Sequence, residues 1–510
     1  MNDQRRITGL RRFLYGKGAL LGILAIGAPA IAAAIITGHK SEADRAVEQW
    51  SEQTYGQRAM SALHAVAAKV GVSPGKGKIV SSEQELRAAV QAAQDGDVVL
   101  LAPGVYPRIG LGNIVKQGEV VIASADPASP AIINQLIVRQ SAGLTLRGLE
   151  LAADASAAPP QAAGEEGADS DAKPMTQAER RDEWIKRRAE RQAAGMAAER
   201  MAERQAEKLR EQQAAGGPEG DGAESSANAG GRGARRGGAD GRPSFPFIIQ
   251  ASERITLDRN LIHGPLDNRA AAYRITALMV RGSKQVTLSG NRFYTLRNGM
   301  GMLDLNGIAI RDNEFSDIRS DGLHGGDVSN AEISGNVFTD FHPAPADHPD
   351  AMQLWSTPRG VVMENISIHN NMVVRGSGSP MQGVFLRDVK NTKAFRNVQI
   401  RDNLIMGGLY NGIAICCVEG GAIEGNRVIN YPDRPQSWIR INGSDSVSLR
   451  NNSASKFLVV GSTVQQSDNC TEQRGKINEA ALFEEWLKAK PTRRRADSAL
   501  QAKLLGKQGS

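Results

Sequence analysis

The stretch ADHPDAMQLWS, residues 346–356, brings together Asp347, His348, Asp350, Gln353 and Trp355. A histidine among carboxylates is suited to moving a proton: imidazole takes one up near neutral pH, and a carboxylate orients the ring. A tryptophan adds a flat apolar face with one polar edge. Three other segments carry similar chemistry: DGLHGGD (321–327) with Asp321 and His324, QGVFLRD (382–388) with Arg387, and SWIRING (437–443) with Arg440. Taken singly, each residue has an ordinary explanation. His324 is a surface histidine, Asp347 and Asp350 are turn formers around Pro349, and Arg387 pairs with Asp388.

The segments align with one another and with NGIAICC (411–417). In each, one alternating set is apolar: Leu323, Met352, Val384, Ile413 and Ile439, then Leu354, Leu386, Ile415 and Ile441. Strand side chains alternate between faces, so this set points into a core. The other set points outward in two rows. One row is His324, Gln353, Phe385, Ala414, Arg440; the other is Gly326, Trp355, Arg387, Cys416, Asn442. Asp321, Asp350, Gln382 and Asn411 lead into these strands. With neighbouring strands about 4.8 Å apart, His324, Gln353, Trp355, Arg387, Asp321 and Asp350 share one external patch. The loop FHPAPADHP (341–349) brings Asp347 and His348 beside it.

A repeat supplies the scaffold. From residue 247 onward a short β run, an asparagine and an apolar residue recur, as in ITLDRNLI, VTLSGNRF, IAIRDNEF and AEISGNVF. The asparagines are Asn260, Asn291, Asn313, Asn336, Asn371, Asn403, Asn426 and Asn452. Short strands at such a period cannot bury a face alone and must stack coil on coil. Asparagine suits a tight corner because it tolerates left-handed φ, and stacked amides can bond along a ladder. The fold class expected is an all-β parallel β-helix.

A second segment, IVSSEQELRAAVQAAQDGDVVLLAPGVYP (79–107), starts with Ser82 and Glu85 spaced as a capping box for a helix reaching about Gln94. Asp95-Gly96-Asp97, the strand Val98–Leu101 and Gly104-Val105-Tyr106 follow. The segment resembles the N-terminal cap and first coil of right-handed β-helix polysaccharide lyases of the pectate-lyase type, nearest to the chondroitinase B and alginate lyase group. The resemblance covers residues 79–150 and, more weakly, 247–460. It implies a right-handed solenoid, a polysaccharide partner and room for a calcium ion. That group's Lys and Arg catalytic signature is not apparent in the middle coils, so its activity does not carry over. Asp347-His348-Pro349-Asp350 is similar to the Asp-Pro-His-Asp motif of β-helix mannuronan epimerases, with Pro and His exchanged.

Composition narrows the partner. The 510 residues carry a net charge of +7, which suits an anionic partner. The basic residues crowd the tails and an insertion without aromatic interleaving, which argues against nucleic acid. Three cysteines, two of them adjacent, form neither a disulfide framework nor a zinc spacing. Residues 19–37 are apolar after five basic residues, the pattern of a signal anchor with the body exported. A cleaved signal peptide, hence secretion, is the alternative.

The expected organisation is an anchor over 1–40, a helical stalk over 41–78 and a cap with first coils over 79–151. A charged insertion follows over 152–246, helical across 176–212 with disordered flanks. Coils fill 247–465, and a C-terminal helix with a basic tail fills 466–510. The expected function is β-elimination or C5 epimerisation of an acidic polysaccharide at the periplasmic or extracellular side of the inner membrane. His348 or His324 acts as base and Asp350 or Asp347 orients it. Arg387, Trp355, Gln353 and Arg440 bind substrate. Hydrolysis by the Asp321–Asp350 pair and binding without catalysis are the alternatives.

Overall fold

The computed structural model describes residues 77–157, 245–345, 347–388, 392–431, 437–471 and 479–488. The sequence expectations for the anchor at 19–37, the stalk, the insertion helix and the basic tail lie outside these residues. Among the described residues no helix is long and apolar enough to cross a membrane. The unit that carries the candidate site spans Lys76–Ala125 and Ala131–Lys490.

The chain winds as a parallel β-helix with three strand faces. All the pairings on the site-bearing face are parallel, from Asn298–Arg311 through Leu323–Ser334, Asp350–Trp355 and Gln382–Arg387 to Asn411–Cys416 and Trp438–Asn442. A second face stacks Ala142–Arg147, Glu253–Asp258 and, further on, Met363–His369 and Phe395–Arg401. A third carries short strands such as Arg292–Leu296, Glu314–Ile318 and Val337–Thr339. Thr276–Ser289, Asn298–Arg311 and Leu323–Ser334 run unbroken across the first two faces. They bend at the left-handed residues Gly282, Asp304 and Asp327.

The asparagine ladder is present and buried. Asn260 Nδ2 donates to Asn291 Oδ1 at 3.0 Å, and the same bond links Asn291, Asn313, Asn336, Asn371, Asn403, Asn426 and Asn452 in turn. It continues to Asn469, which the repeat pattern did not include. Each carbonyl oxygen also accepts the backbone N–H of the asparagine one rung before, as between Asn313 and Asn336 at 2.9 Å. The left-handed backbone, however, belongs to the residue before each ladder asparagine: Arg259, Gly290, Asp312, Gly335, Asn370, Asp402, Gly425 and Asn451. The ladder asparagines are therefore held by what their amides bond, and the turn is made one position earlier. The apolar residue after the asparagine stacks as well. Phe293, Phe315 and Phe338 lie ring on ring at 4.7 and 4.8 Å, matching the strand spacing.

The cap forms as its sequence directs. Ser82 accepts the Glu85 N–H at the start of the helix Glu83–Ala92. Glu85 reaches back one residue further than a capping box requires, to the Ser81 N–H at 2.8 Å. After the insertion the solenoid resumes in register: Ile255 pairs with Leu144 and Leu257 with Leu146. The Leu149 N–H donates to Asn260, 111 residues away, as it would to the next rung of an uninterrupted coil.

Two outcomes follow. Replacing 158–244 by a short Gly/Ser linker leaves a β-rich domain with one cooperative unfolding transition by circular dichroism. Asn336→Ala, which orphans partners on both neighbouring rungs, lowers stability by on the order of 3 kcal/mol in denaturant titration.

Candidate functional site

Register places the candidate residues as the strand alignment requires. His324 pairs with Gln353, and Gln353 with Phe385; Gly326 pairs with Trp355, and Trp355 with Arg387. Arg440 lies further along the first row, beyond Ala414. The inward set is core: Leu323, Met352, Leu354, Val384, Leu386, Ile413, Ile415, Ile439 and Ile441 are all buried. Among the outward residues Arg387 is exposed, and His324, Gln353, Trp355 and Arg440 are partly so.

Two histidine–aspartate pairs stand side by side. His348 Nδ1 donates to Asp350 Oδ2 at 2.8 Å. His324 Nδ1 lies 3.4 Å from Asp321 Oδ2. The pairs are joined through the backbone, because the Asp350 N–H donates to Asp321 Oδ1 at 3.1 Å. The carboxylates differ in access. Asp350 is 0% exposed, whereas the His348 side chain is 48% exposed. Asp350 was expected at the surface; as the first residue of its strand it turns inward beneath His348, and the histidine alone meets solvent.

Two glycines make room for the outward residues. A Cβ on Gly326 would meet the Trp355 carbonyl at 2.5 Å and Thr357 Cγ2 at 2.7 Å. A Cβ on Gly301 would meet Met279 Cε at 2.7 Å and His324 Nε2 at 3.4 Å. The indole of Trp355 stacks on His324 with centroids 5.6 Å apart. Among the described residues the Arg387 guanidinium has no ion pair. The expected partner Asp388 is buried and accepts from the Ser356 hydroxyl at 2.7 Å and the Thr392 N–H at 2.6 Å.

Asp347 does not orient a histidine. Its carboxylate is held by Arg319 Nε at 2.7 Å and accepts the Ala344 N–H at 2.8 Å. It anchors the loop that presents His348. Nearby, Asp317 accepts from the Tyr273 hydroxyl at 2.5 Å. Burial, and then the Asp317 charge, push the Tyr273 phenol well above its ordinary range, so it stays a donor there.

Sequence reasoning missed what binds the lead-in residues together. Asn298 Oδ1 accepts the Asp321 N–H at 3.0 Å, Asp321 accepts from Asp350, and the Gln382 N–H donates to the Pro349 carbonyl at 2.9 Å. Gln382 Oε1 then accepts from Asn411 Nδ2 at 2.5 Å, and Asn411 Oδ1 from the Trp438 indole at 2.9 Å. The signal was the polar residue at the same lead-in position of each segment. A second omission is the disulfide joining the adjacent Cys416 and Cys417, the first of which lies in the outward row with Trp355 and Arg387. Among the described residues no group of three or more His, Cys, Asp or Glu is placed to hold a metal ion.

The geometry predicts distinct stability effects in denaturant titration. Leu354→Ala costs about 2–5 kcal/mol as a buried large-to-small change. Asp350→Ala costs about 1–3 kcal/mol, because it empties a fully buried position and removes the acceptor of the His348 ring. His348→Ala, at a half-exposed position, stays within about 0.5 kcal/mol.

Residues 247–454 match the family model described as a right handed beta helix region. No curated protein matches the sequence. The chain is similar to solved structures at low identity. A glycoside hydrolase is matched over 42% of this chain and 40% of its own length, at 17% identity and TM-score 0.29. The Yersinia enterocolitica family 28 exopolygalacturonase is matched over 81% of this chain and 78% of its own, at 11% identity and TM-score 0.38. A mannuronic acid specific polysaccharide family 6 lyase from human gut microbiota is matched over 75% and 67%, at 12% identity and TM-score 0.36.

Proposed function

We propose that this right-handed β-helix protein acts on an acidic polysaccharide by removing the proton beside a uronate carboxylate, leading to β-elimination or C5 epimerisation. The observation that carries the reading is that the His348–Asp350 pair shares one face with Trp355 and with Arg387, which has no ion pair among the described residues. Arg387 would pair with the uronate carboxylate and Trp355 would take a sugar ring. Neutralising the carboxylate stabilises the negative charge that develops as C5–H ionises. The C5 proton passes to His348 Nε2, Asp350 steadies the imidazolium, and the C–H electron pair moves toward the carboxylate. In elimination that pair becomes the C4–C5 double bond, the C4–O bond breaks with its own pair passing to the glycosidic oxygen, and that oxygen takes up a proton from the His348 imidazolium or from water. Epimerisation instead returns a proton to the opposite face, for which the His324–Asp321 pair is the available donor.

Hydrolysis by a carboxylate pair needs both groups to reach the sugar. Asp350 is buried and bonded to His348, which favours proton abstraction. The proposed topology is an exported body anchored by residues 19–37, read from five basic residues ahead of an apolar run. Protease added to spheroplasts then digests the body and spares a small N-terminal fragment; full protection overturns the topology.

The activity test is a panel of mannuronate, guluronate and galacturonate polymers in deuterated water. Ultraviolet absorbance of an unsaturated uronate reports elimination, and deuterium at C5 without chain cleavage reports epimerisation. New reducing ends without either signal, or binding without product, overturn the reading. His348→Ala is expected to lower turnover by about 10²–10⁴-fold. Arg387→Ala weakens binding and turnover together, and Arg387→Lys restores only part, because an ammonium cannot form the bidentate pair.

A further inference from the structure

We propose that Trp438, Asn411 and Gln382 are positioning residues that hold His348 in its neutral, proton-accepting form, a proposal that rests on His348 being the base. Donor direction runs one way along these three side chains. An indole N–H can only donate. Trp438 Nε1 lies 2.9 Å from Asn411, so Asn411 turns its carbonyl to Trp438 and its amide nitrogen away. That nitrogen donates to Gln382 at 2.5 Å, which fixes Gln382 with its carbonyl toward Asn411. Gln382 is left facing His348 with its NH2, 2.7 Å from Nε2 and 3.2 Å from Nδ1. A point that close to both ring nitrogens lies over the ring and not in line with either lone pair. Reversing one amide reverses the other and ends with two donors opposed at Trp438. The file therefore has one direction.

An N–H held over a neutral imidazole is attractive; held over an imidazolium it is repulsive. Asp350 takes the Nδ1 proton, which leaves Nε2 to receive the next one. Phe385 presents its ring 5.9 Å away. Asp321 stands behind Asp350, accepting its backbone N–H, and Asp347 is tied to Arg319. Asp350 alone would draw a second proton onto the ring at rest. Gln382 opposes that, and it cannot turn over while Asn411 and Trp438 hold it. Its side chain is fully buried and Asn411 is 8% exposed, so neither amide has ready access to water as an alternative partner.

The test is carried out on the full chain with isotope-labelled histidine, the His348 resonances being assigned by their loss in His348→Gln. Wild type, Trp438→Phe and Gln382→Met are titrated by NMR. Trp438→Phe removes one neutral donor at the far end of the file and changes no charge, so it reaches His348 only through the two amides. Once they reverse, Gln382 offers its carbonyl. The His348 midpoint then rises by about half a pH unit, and the acid limb of any turnover profile moves with it. Gln382→Met removes the donor directly, shifts the midpoint the same way and serves if Trp438→Phe fails to fold. An unmoved midpoint in a folded Trp438→Phe protein overturns the directional file, whatever Gln382→Met does. If Trp438→Phe does not fold, an unmoved midpoint in Gln382→Met overturns it. The titration needs no substrate, so its outcome is separate from that of the glycan panel.

Discussion

The buried side-chain amides of the asparagine ladder are the constraint on which the rest of this molecule depends. Each fully used asparagine accepts two bonds from the rung before and donates to the rung after and to a strand-end carbonyl, as Asn336 does toward Asn371 and Ile310. A buried amide left unpaired is costly, whereas a made bond contributes modestly. The ladder thus acts mainly by penalising misregistration. A one-residue slip would orphan a whole file and turn the core outward. Registration at this corner fixes where Leu323, Met352 and Val384 point, and so fixes where His324, Gln353 and Phe385 stand.

The candidate site applies the same device with different chemistry. At the lead-in corner the stacked positions are Asn298, Asp321, Asp350, Gln382 and Asn411. Two rungs of this second file are carboxylates, and each carries a histidine. A ladder made only of amides is indifferent to pH; these two rungs bring titratable groups into a rigid stack. The stiffness of the solenoid is thereby lent to groups that must hold position while a proton moves.

Much of this was legible in the sequence because the solenoid is written in period and alternation. The outward rows and inward set follow from period-two patterning and were placed without coordinates. Three things were not legible. The left-handed residue is Asp312 or Gly335 rather than the asparagine beside it, because dipeptides such as Asp-Asn and Gly-Asn do not say which member turns the chain. The burial of Asp350 was hidden because a polar residue opening a strand usually faces water, and only its partner His348 shows why it does not. The commitment of Asp347 to Arg319 crosses 28 residues, and nothing in either local sequence announces it.

The rejoining of the coils after the insertion bears on how the chain acquires its structure. Neighbouring rungs in the C-terminal coils are 22 or 23 residues apart at their closest, whereas Leu149 and Asn260 are 111 apart. Closing the longer loop costs only about 1.4 kcal/mol more than closing the shorter, since loop entropy grows as a logarithm. It nevertheless delays the encounter. Synthesis therefore delivers the cap and first coils with an open edge and nothing to stack upon. The later coils, with short closures, can wind first and then present a finished edge. The N-terminal coils are made early and completed late, and until that moment their exposed strand edge needs protection from other chains.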